Sequence, residues 1–91
     1  MASSDLESAI RVSPSIHLNK DSSKGFSTIA PHVDTEKLRY VYVIHGQLVL
    51  TVEGIDHTLS SNIGMFFNPR ILHSAQLEGQ CAEIKVATLR E

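Results

Sequence analysis

The sequence predicts an all-β protein, a small antiparallel β-barrel or jelly roll. Short stretches rich in β-branched and aromatic residues recur along the chain, and their apolar residues alternate at a period of two. Glycines separate several of these stretches, as tight turns between antiparallel strands require. No stretch shows the apolar period of a long helix, so we expect little or no helix beyond residue 14.

Length and composition limit the possible functions. The chain has 91 residues, which suffice for one domain with a modest core. Its net charge of −2 provides no basic surface for nucleic acid, and no apolar run is long enough to span a membrane. The first residues, "MASSDLESAIRVSPS", lack the apolar core of a signal peptide. The single cysteine, Cys81, cannot form an internal disulfide, which indicates a reducing compartment, and we expect a cytoplasmic protein.

The first third of the chain is predicted to hold two strands. Residues 1–14 are rich in serine and are expected to form a flexible tail, so that the barrel domain occupies residues 15–91. "SIHLN" is predicted as the first strand, and "KDSSKG" has the composition of a loop. "FSTIAPHV" is predicted as a second strand whose Pro31 restricts it to a sheet edge or marks its end.

The remaining strands follow from alternation and glycine. "LRYVYVIHG" and "QLVLTVEG" are predicted as two strands joined by a hairpin at Gly46. A second hairpin turn is predicted around Gly54, and "HTLS" forms the short strand after it. "IGMFFNP" is predicted as a strand that Pro69 ends. "HSAQLE" and "AEIKVATL" are predicted as the last two strands, separated by a turn at Gly79.

The stretch "YVYVIHGQLVLTVEGIDHTLSSNIGMFFNPRILHSAQ" resembles the cupin superfamily. An aromatic and valine-rich strand precedes a glycine, an alternating strand and a glycine turn follow, and an apolar strand then leads to a proline and a histidine. The resemblance covers roughly residues 26–90. It implies a small single-domain jelly roll, commonly dimeric, with a pocket inside one end. It does not imply one function, because cupins include dioxygenases, isomerases, sugar sensors and structural domains.

The resemblance also indicates which residues face the pocket. The first cupin motif has two histidines one residue apart, then a glutamate, and a glycine after six further residues. Counting back from the glycine at position 46 places Arg39 at the glutamate, and Asp34 and His32 at the two histidines. His73 matches the histidine of the second motif. The metal-binding motif is therefore degenerate, with two imidazoles and one carboxylate.

An arginine at the position of the motif glutamate affects which ligand the pocket can hold. A divalent ion in such a barrel needs several neutral imidazoles and a carboxylate. Arg39 would add a fixed positive charge, which costs several kcal/mol at ~4 Å from the ion and an effective dielectric constant of about 20. We therefore expect no resident metal or cofactor. Arg39 is instead predicted to pair with Asp34 or to present its planar fork to an anion. The predicted ligand-binding residues are Arg39, His73, His32 and Asp34.

Two alternatives for these residues stay open. If the loop before Arg39 is shifted so that Glu36 points inward, His32, Asp34 and His73, with or without Glu36, could hold Fe, Mn, Zn or Ni. Both histidines also fit a simpler interpretation as solvent-facing residues of turns.

Three functions are compatible with the sequence. The first is a stand-alone cupin-like protein that binds a small ligand, which can be anionic, in a barrel with a degraded metal site. The second is a metal-dependent dioxygenase or sugar-type isomerase that uses His32, Asp34 and His73. The third is a structural domain like the dimerisation domain of centromere protein C, which has a similar run of strands. The sequence shows no nucleophile with a recognisable base, which favours binding over catalysis.

A homodimer is the predicted assembly. The chain is short for a self-sufficient core, and "YVY" and "MFF" carry more large apolar groups than one small barrel can hide. Tyr40 and Tyr42 lie on the face opposite Arg39, where a partner subunit could cover them.

Overall fold

The computed structural model describes residues 10–21, 23–24 and 27–89, and within this part of the chain it contains seven antiparallel strands and no helix. The prediction of an all-β fold is confirmed. Among the described residues there is consequently no helix that could cross a membrane. The strands are β1 (Ile10–Val12), β2 (Ile16–Asn19), β3 (Thr28–His32), β4 (Leu38–Val52), β5 (Ile55–Ser60), β6 (Gly64–Phe67) and β7 (His73–Leu89).

The two long strands, β4 and β7, organise the fold. They pair with each other over their whole length, from Leu38 opposite Leu89 to Val52 opposite His73, and we call this pair the β4–β7 ribbon. The strands β1, β2 and β3 pair with the other edge of β7, while β5 and β6 pair with the other edge of β4.

The β4–β7 ribbon folds back on itself. Arg39 is paired with Thr88 near one end of the ribbon, and His73 lies at the other end. The Arg39 and His73 side chains nevertheless come within 3.5 Å of each other. The two halves of the ribbon therefore face each other across the interior, which closes the sheet into a barrel.

Gly46 and Gly79 lie inside the long strands, so the predicted hairpin at Gly46 and the predicted turn at Gly79 are both wrong. Both glycines have positive φ angles, 92° and 91°. The register of β4 against β7 shifts at these glycines. His45 is opposite Glu83, whereas Gln47, two residues on, is opposite Glu78. The extra residues of β7 form a bulge, and bulges bend strands without ending them. A Cβ atom on Gly46 would lie 2.6 Å from the carbonyl oxygen of Cys81, so a glycine permits this close approach.

The predicted turn at Gly54 and the predicted strands β2, β3, β5 and β6 are confirmed within the described residues, whereas the last two predicted strands form the single strand β7. Glu53 and Gly54 both have positive φ, 54° and 79°, as the mirror-image turn of a two-residue hairpin requires. Asn62, in the turn between β5 and β6, also has positive φ, 69°, which asparagine tolerates better than most residues. Pro31 lies in β3, which pairs only with β7 among the described strands, and the β3–β7 register shifts between Ile29 and His32.

The N-terminal segment differs in part from the predicted tail of residues 1–14. Ile10, Arg11 and Val12 pair with the end of β7, opposite Leu89, Thr88 and Ala87. Because β4 occupies only one edge of β7, the other edge offers backbone groups with which this short segment can pair. The barrel therefore includes residue 10, while residues 1–9 lie outside the described part of the chain.

Alternation along each strand separates the core from the surface. In β4, Val41 and Val43 point inward and are buried, while Tyr40 and Tyr42 point outward. The buried apolar residues form one cluster inside the barrel: Leu18, Val41, Val43, Leu48, Leu50, Leu59, Phe67, Ala75, Leu77, Ala82 and Ile84.

One outer face of the sheet is also apolar. The register aligns Ile10, Leu89 and Leu38 in one row across the strands, and Val12, Ala87, Tyr40 and Phe66 in the next. We call these seven residues the outer apolar face. Phe66 is 64% exposed, and a groove of about 280 Å³ runs beside it. Antiparallel sheets normally present a polar face to water, so this face is a candidate for contact with a partner.

Candidate functional site

Four polar side chains meet at one end of the barrel, where the ends of the β4–β7 ribbon come together. His32 and His73 are directly paired neighbours on β3 and β7. Arg39 lies near the start of β4, and Asp34 lies in the connection between β3 and β4. The structure therefore brings together the four residues that the motif spacing indicated, while their role as a binding site stays a prediction.

Arg39 connects the cluster. Its Nη1 donates a hydrogen bond of 2.8 Å to Asp34 Oδ2, and its Nη2 donates another of 2.8 Å to Glu36 Oε1. Nη1 also lies 3.5 Å from Nε2 of His73. The Nε–H of Arg39 is buried and has no acceptor among the described residues. Arg39 thus holds two carboxylates while one of its own donors is unsatisfied.

The two histidines direct the same nitrogen toward the cluster. Nδ1 of His32 lies 2.8 Å from the carbonyl oxygen of Ala30, and Nδ1 of His73 lies 2.8 Å from that of Ile71. Because a carbonyl oxygen only accepts hydrogen bonds, each Nδ1 carries the hydrogen. The Nε2 atoms of His32 and His73 then lie 3.2 Å and 3.6 Å from Asp34 Oδ2. His73 is buried, with 4% of its side chain exposed, and its ring packs on Phe67 at 5.0 Å between centroids.

Asp34 is held in its charged form. Partial burial of the carboxyl group tends to raise its pKa, but the hydrogen bond and charge of Arg39, aided by His32 and His73, outweigh this effect. The pKa of Asp34 therefore lies below its usual value of 3.8. With Asp34 and Glu36 negative and Arg39 positive, the three charged residues carry a net charge of −1 at neutral pH.

His32, Asp34 and His73 have the composition of a metal site. One ligand atom from each lies within 4.8 Å of the other two, and both Nε2 atoms face the carboxylate. Arg39 Nη1, however, lies against Asp34 Oδ2 and near His73 Nε2, where an ion held by these atoms would be. A positive charge ~4 Å from a divalent ion costs several kcal/mol even at an effective dielectric constant of about 20. With Arg39 in this position, its positive charge opposes a divalent ion at these three residues.

A cavity of about 290 Å³ adjoins the cluster inside the barrel. His32, Arg39 and His73 line its polar end. The remaining walls are largely apolar and include Ile29, Val41, Leu48, Leu50, Phe67, Ala75, Ile84 and Val86. The cavity therefore combines an apolar interior with one charged end, which is the usual composition of a small-molecule pocket.

The sequence does not indicate the part that Glu36 plays. Its pattern predicts Glu36 only as an alternative metal ligand, whereas the Glu36 carboxylate binds Arg39. The spacing of three residues between a glutamate and an arginine was the available signal, but in a loop it does not determine which way either side chain points. The loop position is fixed by tertiary contacts, because the Asp34 amide donates to the Pro69 carbonyl and the Lys37 amide donates to the Leu89 carbonyl.

Comparison with known proteins identifies the fold. No protein-family model matches the sequence, and no curated protein matches it significantly. Solved structures do match. A predicted oxalate decarboxylase from Thermotoga maritima aligns with a TM-score of 0.76 at 15% identity, over 100% of this chain and 76% of that one.

Two further structures are similar. A cupin protein from Bacteroides fragilis aligns with a TM-score of 0.74 at 12% identity, over 90% of this chain and 66% of that one. An RmlC-like cupin with a double-stranded β-helix fold from Methanocaldococcus jannaschii aligns with a TM-score of 0.73 at 14% identity, over 89% and 70%. At identities this low, the structural similarity establishes the architecture of the chain and leaves its activity open. The chain therefore has the cupin fold.

Proposed function

We propose that this protein binds a small molecule inside its barrel and that Arg39 takes the place of a metal ion at the charged end. One observation carries the proposal: the apolar walls of the internal cavity end at the cluster around Arg39. Nη1 of Arg39 lies between Asp34 and His73 and supplies there the positive charge that an ion would otherwise provide.

The cavity favours a ligand with an apolar body and a polar head. Its volume of about 290 Å³ is close to the lower end of the range for small-molecule pockets, roughly 300 Å³, so the ligand is small. A head group that accepts hydrogen bonds suits Arg39, whose buried Nε–H has no acceptor among the described residues. An unsatisfied buried donor costs about 1–3 kcal/mol, which a bound acceptor would recover.

A metal-dependent oxygenase or isomerase is the second candidate. The backbone carbonyls that hold Nδ1 of His32 and His73 are the partners that metal-ligating histidines use to orient Nε2. This function requires Arg39 to leave the space between Asp34 and His73. Elemental analysis for Fe, Mn, Zn and Ni separates the two candidates, because stoichiometric metal in the purified protein would contradict the proposed role of Arg39.

A homodimer is part of the proposal and is compatible with either function. The outer apolar face supports it, since Phe66 is 64% exposed on a sheet whose inner side is already buried. An intracellular location stays a prediction that rests on the lone Cys81.

Filling the cavity tests the proposed function. Ala75 lines the cavity, so Ala75→Phe should abolish binding of six-carbon probes such as hexanol, hexanamide and hexanoate, measured by isothermal titration calorimetry. Ala75→Leu, a smaller change, should weaken binding and covers the case in which the larger side chain impairs folding. Ala30→Phe is the matched control because Ala30 is exposed on β3. Unchanged affinity in folded Ala75→Phe protein would contradict binding inside the barrel.

A further inference from the structure

We infer that the head group of the ligand is a carboxylate and that Glu36 competes with it for Arg39. This inference rests on the proposed function and specifies the chemistry of the charged end. Arg39 divides its donors between the carboxylates of Asp34 and Glu36.

One edge of the Arg39 guanidinium group carries an N–H group that has no acceptor among the described residues. Nε–H and one N–H of Nη2 point in the same direction and together match the two oxygens of a carboxylate. In this structure Nη2 donates to a single oxygen of Glu36, at 2.8 Å, while Nε–H on the same edge has no acceptor among the described residues. The Asp34 carboxylate uses the other side, through Nη1. Glu36 therefore forms one hydrogen bond with Nη2, whereas a carboxylate placed along the edge of Nε and Nη2 could form two.

Glu36 is the displaceable partner of the two. Its side chain has one polar contact among the described residues, the bond to Arg39, and is 27% exposed. Asp34 is held more firmly, because Arg39, His32 and His73 surround its Oδ2 and its amide donates to Pro69. Glu36 can swing into solvent by side-chain rotation, whereas Asp34 would have to leave three partners and a fixed backbone.

The charge of the cluster and the burial of Arg39 Nε favour a ligand carboxylate that replaces Glu36 over one that binds beside it. The cluster already carries a net charge of −1, and a ligand carboxylate added beside Glu36 would place three negative groups around one guanidinium. The Nε atom is also buried, so a neighbouring side chain has to move before a ligand can reach it. A carboxylate that replaces Glu36 leaves the charge of the site unchanged and gains the second hydrogen bond. A neutral head group gains neither advantage.

The experiment compares hexanoate with hexanamide, which has the same chain and a neutral head. Glu36→Gln removes the competing charge, so it should bind hexanoate more tightly than the wild type. If Glu36 occupies Arg39 in nine molecules of ten, the gain is about tenfold. Hexanamide affinity should not change. Glu78→Gln is the matched control, because Glu78 is exposed on β7 near the bend of the ribbon.

A second variant and the outcomes complete the test. Arg39→Lys keeps the charge and removes the fork, so it should reduce the preference for hexanoate over hexanamide. If Glu36→Gln binds hexanoate no more tightly than wild type, while hexanamide binds and Ala75→Phe blocks it, the carboxylate inference is overturned and the proposed function stands. If neither probe binds wild type or Glu36→Gln, both are overturned.

Discussion

Replacing Arg39 by glutamate should turn the cluster into a metal site. The change reverses the charge next to His32, Asp34 and His73, whose ligand atoms lie within 4.8 Å of one another. Two unit charges ~4 Å apart interact by about 4 kcal/mol at an effective dielectric constant of 20. The substitution removes a repulsion of at least this size and adds an attraction. Because side chains of the cluster are 4–38% exposed, we discount this to about 3 kcal/mol, roughly a hundredfold in affinity.

Two measurements check this change. Titration of wild type and Arg39→Glu with Zn²⁺, Mn²⁺ and Ni²⁺, by calorimetry or against a chelating dye, should show tighter binding by the variant. Its melting temperature should fall without metal, because three carboxylates then face one another, and should rise on addition of metal. Lys20→Glu makes the same charge change at an exposed position after β2, near Gln80, and serves as the control. Equal metal affinity in wild type and Arg39→Glu would refute the reasoning.

Three further predictions concern pH, the bend and the outer face. The charged form of Asp34 stabilises the fold above its usual pKa of 3.8, and this contribution is lost as pH falls through the lower pKa of the folded state. Asp34→Asn should therefore lower the free energy of unfolding by about 1 kcal/mol at neutral pH, and the difference from wild type should shrink as pH falls below 3.8, in urea titrations. Gly46→Ala should cost more than Gly54→Ala, about 3 against 1 kcal/mol, because both glycines have positive φ but an added Cβ meets β7 only at Gly46. Phe66→Lys should shift a homodimer to monomer in sedimentation equilibrium, and a wild type that is monomeric at micromolar concentration would contradict the dimer.

Local sequence patterns predicted the strands well and their connections less well. Alternation defined β2, β3, β5 and β6, and positive φ at Gly54 followed from the hairpin pattern. Gly46 has the same local signal, because glycine suits both a hairpin and a bulge. The choice at Gly46 depends on whether β7 runs past it, which is a contact between distant parts of the chain. The pairing of Ile10 with Leu89 depends on distant residues in the same way.

In the candidate site, too, some positions were predictable from the sequence and others depend on contacts between distant residues. The resemblance to the first cupin motif, counted back from Gly46, indicated Arg39, Asp34 and His32 as neighbours, and the second motif added His73. The position of Glu36 could not be counted, since the residues between β3 and β4 have no strand period. Its bond to Arg39 depends on backbone contacts with Pro69 and Leu89, which lie far away in sequence.

The folded-back ribbon has a consequence for folding kinetics. The hairpin between β4 and β5 joins neighbouring residues through Gly54 and can form early, whereas pairing of β4 with β7 joins distant parts of the chain and is slow. Arg39 meets His73 only after this pairing has formed and the ribbon has bent at Gly46. We therefore expect the pocket to appear in the last stage of folding. A bound ligand would then slow unfolding and leave the rate of folding unchanged, because the rate-limiting barrier is crossed before the site exists.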